Sequence, residues 1–267
     1  MIIIGERINS TKKSIARAIV ERNAELLQEE VRKQVDAGAT MLDVNCGTLP
    51  VEEEPAALEW LVETIQSVTT LPLCIDSPNP AALAKGLAVY RNGKALINSI
   101  SGESERFKQV LPLVKQYNCS VVALCMDDSG IPNNYAIALQ VGTKLVNALL
   151  AEGIAVADIY FDPLLRSVAT SGSTVVETLA LMDAVSQTFP GIHITCGLSN
   201  VSHGLPERRH LNRSFLVLAM EHGMDAPIID PCDSAVRGLV FSTNALLRRD
   251  NFCLNYTKAF RQGLLQG

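Results

Sequence analysis

Eight short apolar runs, each followed by a stretch with a different period, constrain this chain more than any other feature. The runs are "IIIGERIN" (2–9), "TMLDVNCG" (40–47), "LPLCIDS" (71–77), "ALINSISG" (95–102), "SVVALCMD" (120–127), "DIYFDPL" (158–164), "HITCGLSN" (193–200) and "APIIDPCD" (226–233). Each is rich in Ile, Val or Leu and ends in polar or turn-forming residues, the signature of a strand buried on both faces. Between them the apolar spacing changes. Leu58, Leu61, Val62 and Ile65 fall at i, i+3, i+4 and i+7, one stripe of an amphipathic helix. Leu27, Val31 and Val35 form the same stripe in a helix that stops before Gly38, and Val175, Leu179, Met182 and Val185 repeat it in "STVVETLALMDAVSQTF". Strand–helix alternation eight times over predicts an α/β protein built as a TIM (β/α)8 barrel. A doubly wound open sheet is the alternative architecture.

A single domain over residues 1–267 accommodates this pattern, because barrels of about 250 residues fold as one unit and no Pro/Gly/Ser-rich linker divides the chain. The composition, 48% hydrophobic and 19% charged, is that of a globular protein. A net charge of −5 argues against wrapping nucleic acid or resting on an anionic membrane. The opening "MIIIGERINS" is too briefly apolar for a signal-peptide core, so a cytoplasmic location is expected. Seven cysteines, odd in number and scattered without a C-x-x-C pair, read as buried thiols and not as disulfides.

Function should reside at the strand ends. In order they offer Glu6 and Asn9, Asp43 and Asn45, Asp76, Asn98, Asp127, Asp162, Ser199 and Asn200, then Asp230 and Asp233. In a parallel barrel these ends share one mouth, where barrel active sites lie. Asp and Asn at such positions also cap the following helices. Capping accounts less well for Asp76, Asn98 and Asp162, which each terminate an apolar run and would converge on one cavity. Two carboxylates and an amide, with no neighbouring lysine or histidine, suit a neutral heterocycle rich in N–H donors. No metal is expected. His193 and Cys196 are three residues apart on a strand and point to opposite faces, and His203, His210 and His222 lack ligand spacing. Serine-nucleophile elbows and phosphate loops are absent.

"GERIN" at 5–9, "DVN" at 43–45, "CIDS" at 74–77, "INS" at 97–99, "DPL" at 162–164 and "GLSNVS" at 197–202 together resemble the methyltetrahydrofolate:corrinoid protein methyltransferases. The likeness runs in order from residue 1 to at least Asp233, and the folate domain of methionine synthase is a more distant relative. The resemblance implies a TIM barrel, usually a homodimer, that moves a methyl group between N5 of 5-methyltetrahydrofolate and the cobalt of a corrinoid. By the same resemblance Asp76, Asn98 and Asp162 grip the pterin, while Gly197 and Ser199 shape the pocket. Asn200 sits by the pterin N5, and Arg208 in "PERRH" lies beside the substrate. Asn200 and Asp76 are the residues implied in catalysis, and Asp43 and Asn45 have a supporting role. Arg209 departs from the pattern, leaving either arginine of the pair to serve. The chain has no D-x-H-x-x-G corrinoid-binding signature, so the cobalamin is expected on a separate corrinoid protein. Dihydropteroate synthase is the rival in the same fold, but strand seven here reads "SNV" where that enzyme has S-R-K. A non-catalytic folate-binding protein would share the pterin contacts with no use for "SNVS".

Overall fold

The computed structural model describes residues 1–170 and 174–265. All eight expected strands form, and every pairing is parallel: β1 (Ile4–Asn9), β2 (Met41–Asn45), β3 (Leu73–Asp76), β4 (Leu96–Gly102), β5 (Ser120–Asp127), β6 (Ile159–Asp162), β7 (His193–Ile194) and β8 (Ile228–Ile229). Neighbours in sequence are neighbours in space from β1 to β7, and β8 returns to pair with β1. The circle closes between β7 and β8. Ala226 and Ile228 donate their amides to the carbonyls of Ile194 and Cys196 at 3.1 and 3.0 Å, and Gly197 bridges to Ile228. The structure is thus a TIM-type α/β barrel in a single domain, and the open-sheet alternative is excluded.

Helices follow the strands, α1 (Lys13–Val20) and α2 (Ala24–Asp36) after β1, then α3 (Glu54–Gln66), α4 (Pro80–Val89), α5 (Ser104–Gln116), α6 (Tyr135–Ala151), α7 (Thr174–Thr188), α8 (Arg208–Glu221), α9 (Ser234–Leu246) and α10 (Leu254–Arg261). The predicted stripes face the barrel: Leu58, Leu61, Val62 and Ile65 are fully buried, as are Leu27, Val31, Met182 and Val185. Gly38 ends the turn after α2 at φ 95°, a conformation that costs glycine nothing. Ser173, which opens the predicted seventh helical stretch, lies outside the described residues. No helix among the described residues is long and apolar enough to cross a membrane.

The alternation of strand side chains places the site. Ile4, Met41, Cys74, Leu96, Val122, Tyr160 and Ile228 pack together as an apolar plug inside the barrel. Two residues further along, on the same face of each strand, stand Glu6, Asp43, Asp76, Asn98, Leu124 and Asp162. A period of two therefore stacks a polar layer on an apolar one, on the side where the strands end.

Strand seven is shorter than the sequence suggests. "HITCGLSN" is strand only at His193–Ile194, and Leu198–Ser202 forms a 3-10 helix. Ser199 is thereby lifted off the sheet to face Glu6, and Asn200 stands exposed on the same turn.

Candidate active site

Asp76, at the end of β3, and Asn98, within β4, are cross-strand partners, and both line a cavity of about 310 Å³ with Ser99, Glu103, Arg106 and Leu124. Asp76 accepts a hydrogen bond from Asn45 Nδ2 at 2.8 Å. Asn45 is itself pinned, its Oδ1 accepting from the Gly47 amide at 3.1 Å and from Ser10 Oγ at 3.3 Å. Burial pushes the Asp76 carboxyl up to about 6, against the lowering effects of Asn45 and then Arg106.

Asp162 stands at the end of β6. Its Oδ1 accepts from the Leu164 amide at 2.7 Å and holds Leu164 at φ 62°, a left-handed conformation rare for a branched residue. Burial raises its carboxyl to about 7, opposed by the Leu164 amide and reinforced by the charge of Asp76. Asp43 lies beneath, 3% exposed, with Oδ1 unpartnered among the described residues. Burial first, then the Asp76 charge, drives its carboxyl well above the usual range. Three carboxyl groups thus share one desolvated space, and their repulsion favours keeping a proton among them.

The other wall of the mouth comes from β1 and the 3-10 turn. Ser199 Oγ donates to the Glu6 carboxylate at 3.0 Å, and burial raises the Glu6 pKa. Glu6 and Ser199 line a second cavity of about 410 Å³ together with Arg209, Asn212 and Asp230. Arg208 is held by the turn. Its Nη2 donates to the Ser199 carbonyl at 2.6 Å and its Nε to Ser202 Oγ at 3.0 Å. Arg208 lines neither cavity, whereas Arg209 faces the second and makes no hydrogen bond among the described residues.

Asn200 is not a helix cap. The residue preceding α8 is Glu207, seven positions on, and the turn containing Asn200 is entered through Gly197. The exposed Asn200 side chain makes no hydrogen bond among the described residues and folds back over Gly197. A Cβ at position 197 would stand 3.0 Å from Asn200 Nδ2, closer than the amide tolerates without moving. Glycine here leaves room for that amide.

Of the strand-end residues, then, Asp76, Asn98, Asp162, Asp43, Asn45, Glu6 and Ser199 belong to the mouth. Asp233 does cap, accepting from Ala235 N at 3.1 Å, and Asp127 closes a turn through Ser129 N. Asp230 is spent on Arg7 at 2.9 Å. Sequence reasoning gave no role to Glu6, whose partner is 193 residues away, nor to Arg106, which nothing in "GESERF" separates from a surface arginine.

A closed barrel whose mouth holds buried carboxyls and an amide suits a heterocycle that donates hydrogen bonds. The chain belongs to the pterin binding enzyme family, whose pattern matches residues 5–230. It is 36% identical over 265 residues to the methylcorrinoid:tetrahydrofolate methyltransferase of Eubacterium limosum, covering 98% of this chain and 97% of that one. It is 28% identical over 242 residues to methionine synthase of Mycobacterium tuberculosis, covering 86% of this chain and 20% of that larger protein. Among solved structures, dihydropteroate synthase from Xanthomonas albilineans in complex with 7,8-dihydropteroate superposes with a TM-score of 0.66 over 94% of this chain and 93% of that one. Its 19% identity carries the fold alone.

Proposed function

We propose that this protein is a methyltransferase that moves a methyl group between N5 of 5-methyltetrahydrofolate and the corrinoid cobalt of a separate partner protein. The observation that carries this is the polar layer of Asp76, Asn98 and Asp162 in a chain collinear, end to end, with a methylcorrinoid:tetrahydrofolate methyltransferase. When the partner docks over the mouth, its corrinoid supplies the cobalt that accepts or donates the methyl group.

The chain's own residues bind and orient the folate and manage the proton on N5. Asp76 and Asp162, when ionised, accept hydrogen bonds from the pterin N–H groups, and Asn98 completes that edge. An amine nitrogen leaves its methyl group only as it gains a proton or a strong hydrogen bond. Asn200 cannot deliver a proton near neutral pH, but its amide can donate to N5 or accept from protonated N5. A bond that strengthens as charge develops on N5 lowers the barrier by favouring the transition state. The exposed, uncommitted Asn200 side chain over Gly197 supports this role. The group of buried carboxyls with raised pKa values supports proton supply from within the mouth, relayed by water. Gly197 and Ser199 shape the pocket and Arg208 fixes the turn that carries Asn200. Residues 1–267 act as one pterin-binding domain, and the active form is a homodimer. Seven free thiols suit a reducing cytoplasm.

The test is methyl transfer from 5-methyltetrahydrofolate to a Co(I) corrinoid protein, followed by loss of the Co(I) absorbance after rapid mixing. Folate binding without any such transfer would favour a non-catalytic folate-binding protein. Dihydropteroate formed from p-aminobenzoate and a pterin pyrophosphate would favour the synthase.

A further inference from the structure

The guanidinium of Arg106, in the first turn of α5, makes four hydrogen bonds, and all of them go to backbone carbonyls, two just beyond the end of β3 and one within β4. Nε and Nη2 donate to Ser99 O at 2.9 and 2.6 Å, Nη2 donates to Ser77 O at 2.9 Å, and Nη1 donates to Pro78 O at 2.5 Å. Ser77 and Pro78 follow Asp76 directly, and Ser99 follows Asn98. The arginine therefore grips the chain one residue beyond each member of the pair that lines the 310 Å³ cavity, and it lines that cavity itself. Its anchorage is doubled, since Ser77 Oγ donates to the buried Glu54 at 2.6 Å. Arg106 forms no salt bridge with a carboxylate among the described residues, so its charge is left to act on its surroundings. Asp76 is the first carboxylate it acts on.

We propose that Arg106 is a positioning residue for the pterin site: it ties the end of β3 to β4 beside Asn98 and supplies the positive charge that keeps Asp76 an ionised acceptor. The need for that charge follows from what surrounds Asp76. Asp43 faces it from β2, Glu54 from α3 and Asp162 from β6, all acidic, while Cys74 and Cys46 add only buried thiols. The Asn45 amide provides a dipole, and Arg106 provides the cation. A planar fork that can satisfy three carbonyls at once is a property of arginine and not of lysine. The geometric part and the charge part of the proposal therefore separate by substitution.

Two measurements test it. Carboxyl ¹³C titration of the ligand-free protein, with the Asp76 signal assigned by its loss in Asp76→Asn, reads the charge directly. In Arg106→Gln the Asp76 midpoint should rise by about half a pH unit or more, while Arg106→Lys leaves it near the wild-type value. An unmoved midpoint in folded Arg106→Gln would overturn the electrostatic part. Calorimetric folate affinity reads the geometry: Arg106→Lys should weaken it about tenfold with the fold intact, and wild-type affinity would overturn the clamp. Should Arg106→Gln not fold, the lysine variant decides. The affinity arm rests on the pterin-binding function. If the wild-type protein itself binds no folate, that function fails, and the ¹³C midpoint alone still decides for or against Arg106.

Discussion

Replacing Asp162 by asparagine should make this protein more stable and a worse folate binder, and the structure fixes both signs. The Asp162 carboxyl is moved by burial from its ordinary 3.8 to about 7. Below 3.8 the native and unfolded states both hold the proton. Between 3.8 and about 7 only the native state holds it, so unfolding releases a proton and stability falls as pH rises. Above 7 both states are ionised and the loss is complete. At about 1.36 kcal/mol per pH unit the ionised native state bears about 4 kcal/mol at pH 8, an upper figure that relaxation and water entry reduce. Asparagine keeps Oδ1 to accept the Leu164 amide at 2.7 Å and carries no charge. Asp162→Asn should therefore gain about 1 to 3 kcal/mol over wild type at pH 8, and little or nothing at pH 4. Urea unfolding of both proteins across pH 4 to 8 measures this directly. The same change removes a charged acceptor from the pterin edge and should cost about 2 to 4 kcal/mol of folate binding at pH 8 by calorimetry. A variant no more stable than wild type at pH 8 would refute the desolvation argument. Folate affinity within about a factor of two of wild type would remove Asp162 from the grip.

Asn200→Ala should lower kcat/KM for methyl transfer by about 100-fold or more, exceeding its effect on folate affinity; transfer at the wild-type rate once saturated with folate would reduce Asn200 to a bystander. Gly197→Ala, which pushes a methyl group against the Asn200 amide, should slow transfer about tenfold with folate affinity nearly unchanged, and single-turnover kinetics would separate the two. Gel filtration of the isolated protein with added corrinoid should show no stoichiometric co-elution, because the corrinoid belongs to the partner; a retained corrinoid absorbance contradicts that assignment.

Local periodicity determined much of this protein before any coordinates. Apolar runs of strand length alternating with stripes at i, i+3, i+4 and i+7 permit few folds, and the barrel is the one that buries all eight strands. Because strand side chains alternate, the spacing Cys74–Asp76, Leu96–Asn98 and Tyr160–Asp162 also encoded an apolar floor with a polar layer above it. What the sequence could not hold was anything that depends on register between distant segments. The Glu6–Ser199 bond exists because β8 pairs with β1 and closes the ring across 193 residues. Asp43 and Asp76 each follow apolar residues in a strand, yet only packing decides that one is sealed, with Oδ1 unpartnered among the described residues, while the other faces a cavity. Likewise "SNVS" reads as the end of a strand, and only the tertiary structure shows that it turns as a 3-10 helix, entered through the Gly197 bridge to Ile228, with Asn200 exposed on it. Arg106 is the extreme case. Its partners are carbonyls, which every residue possesses, so no choice of side chain elsewhere in the sequence could have announced them.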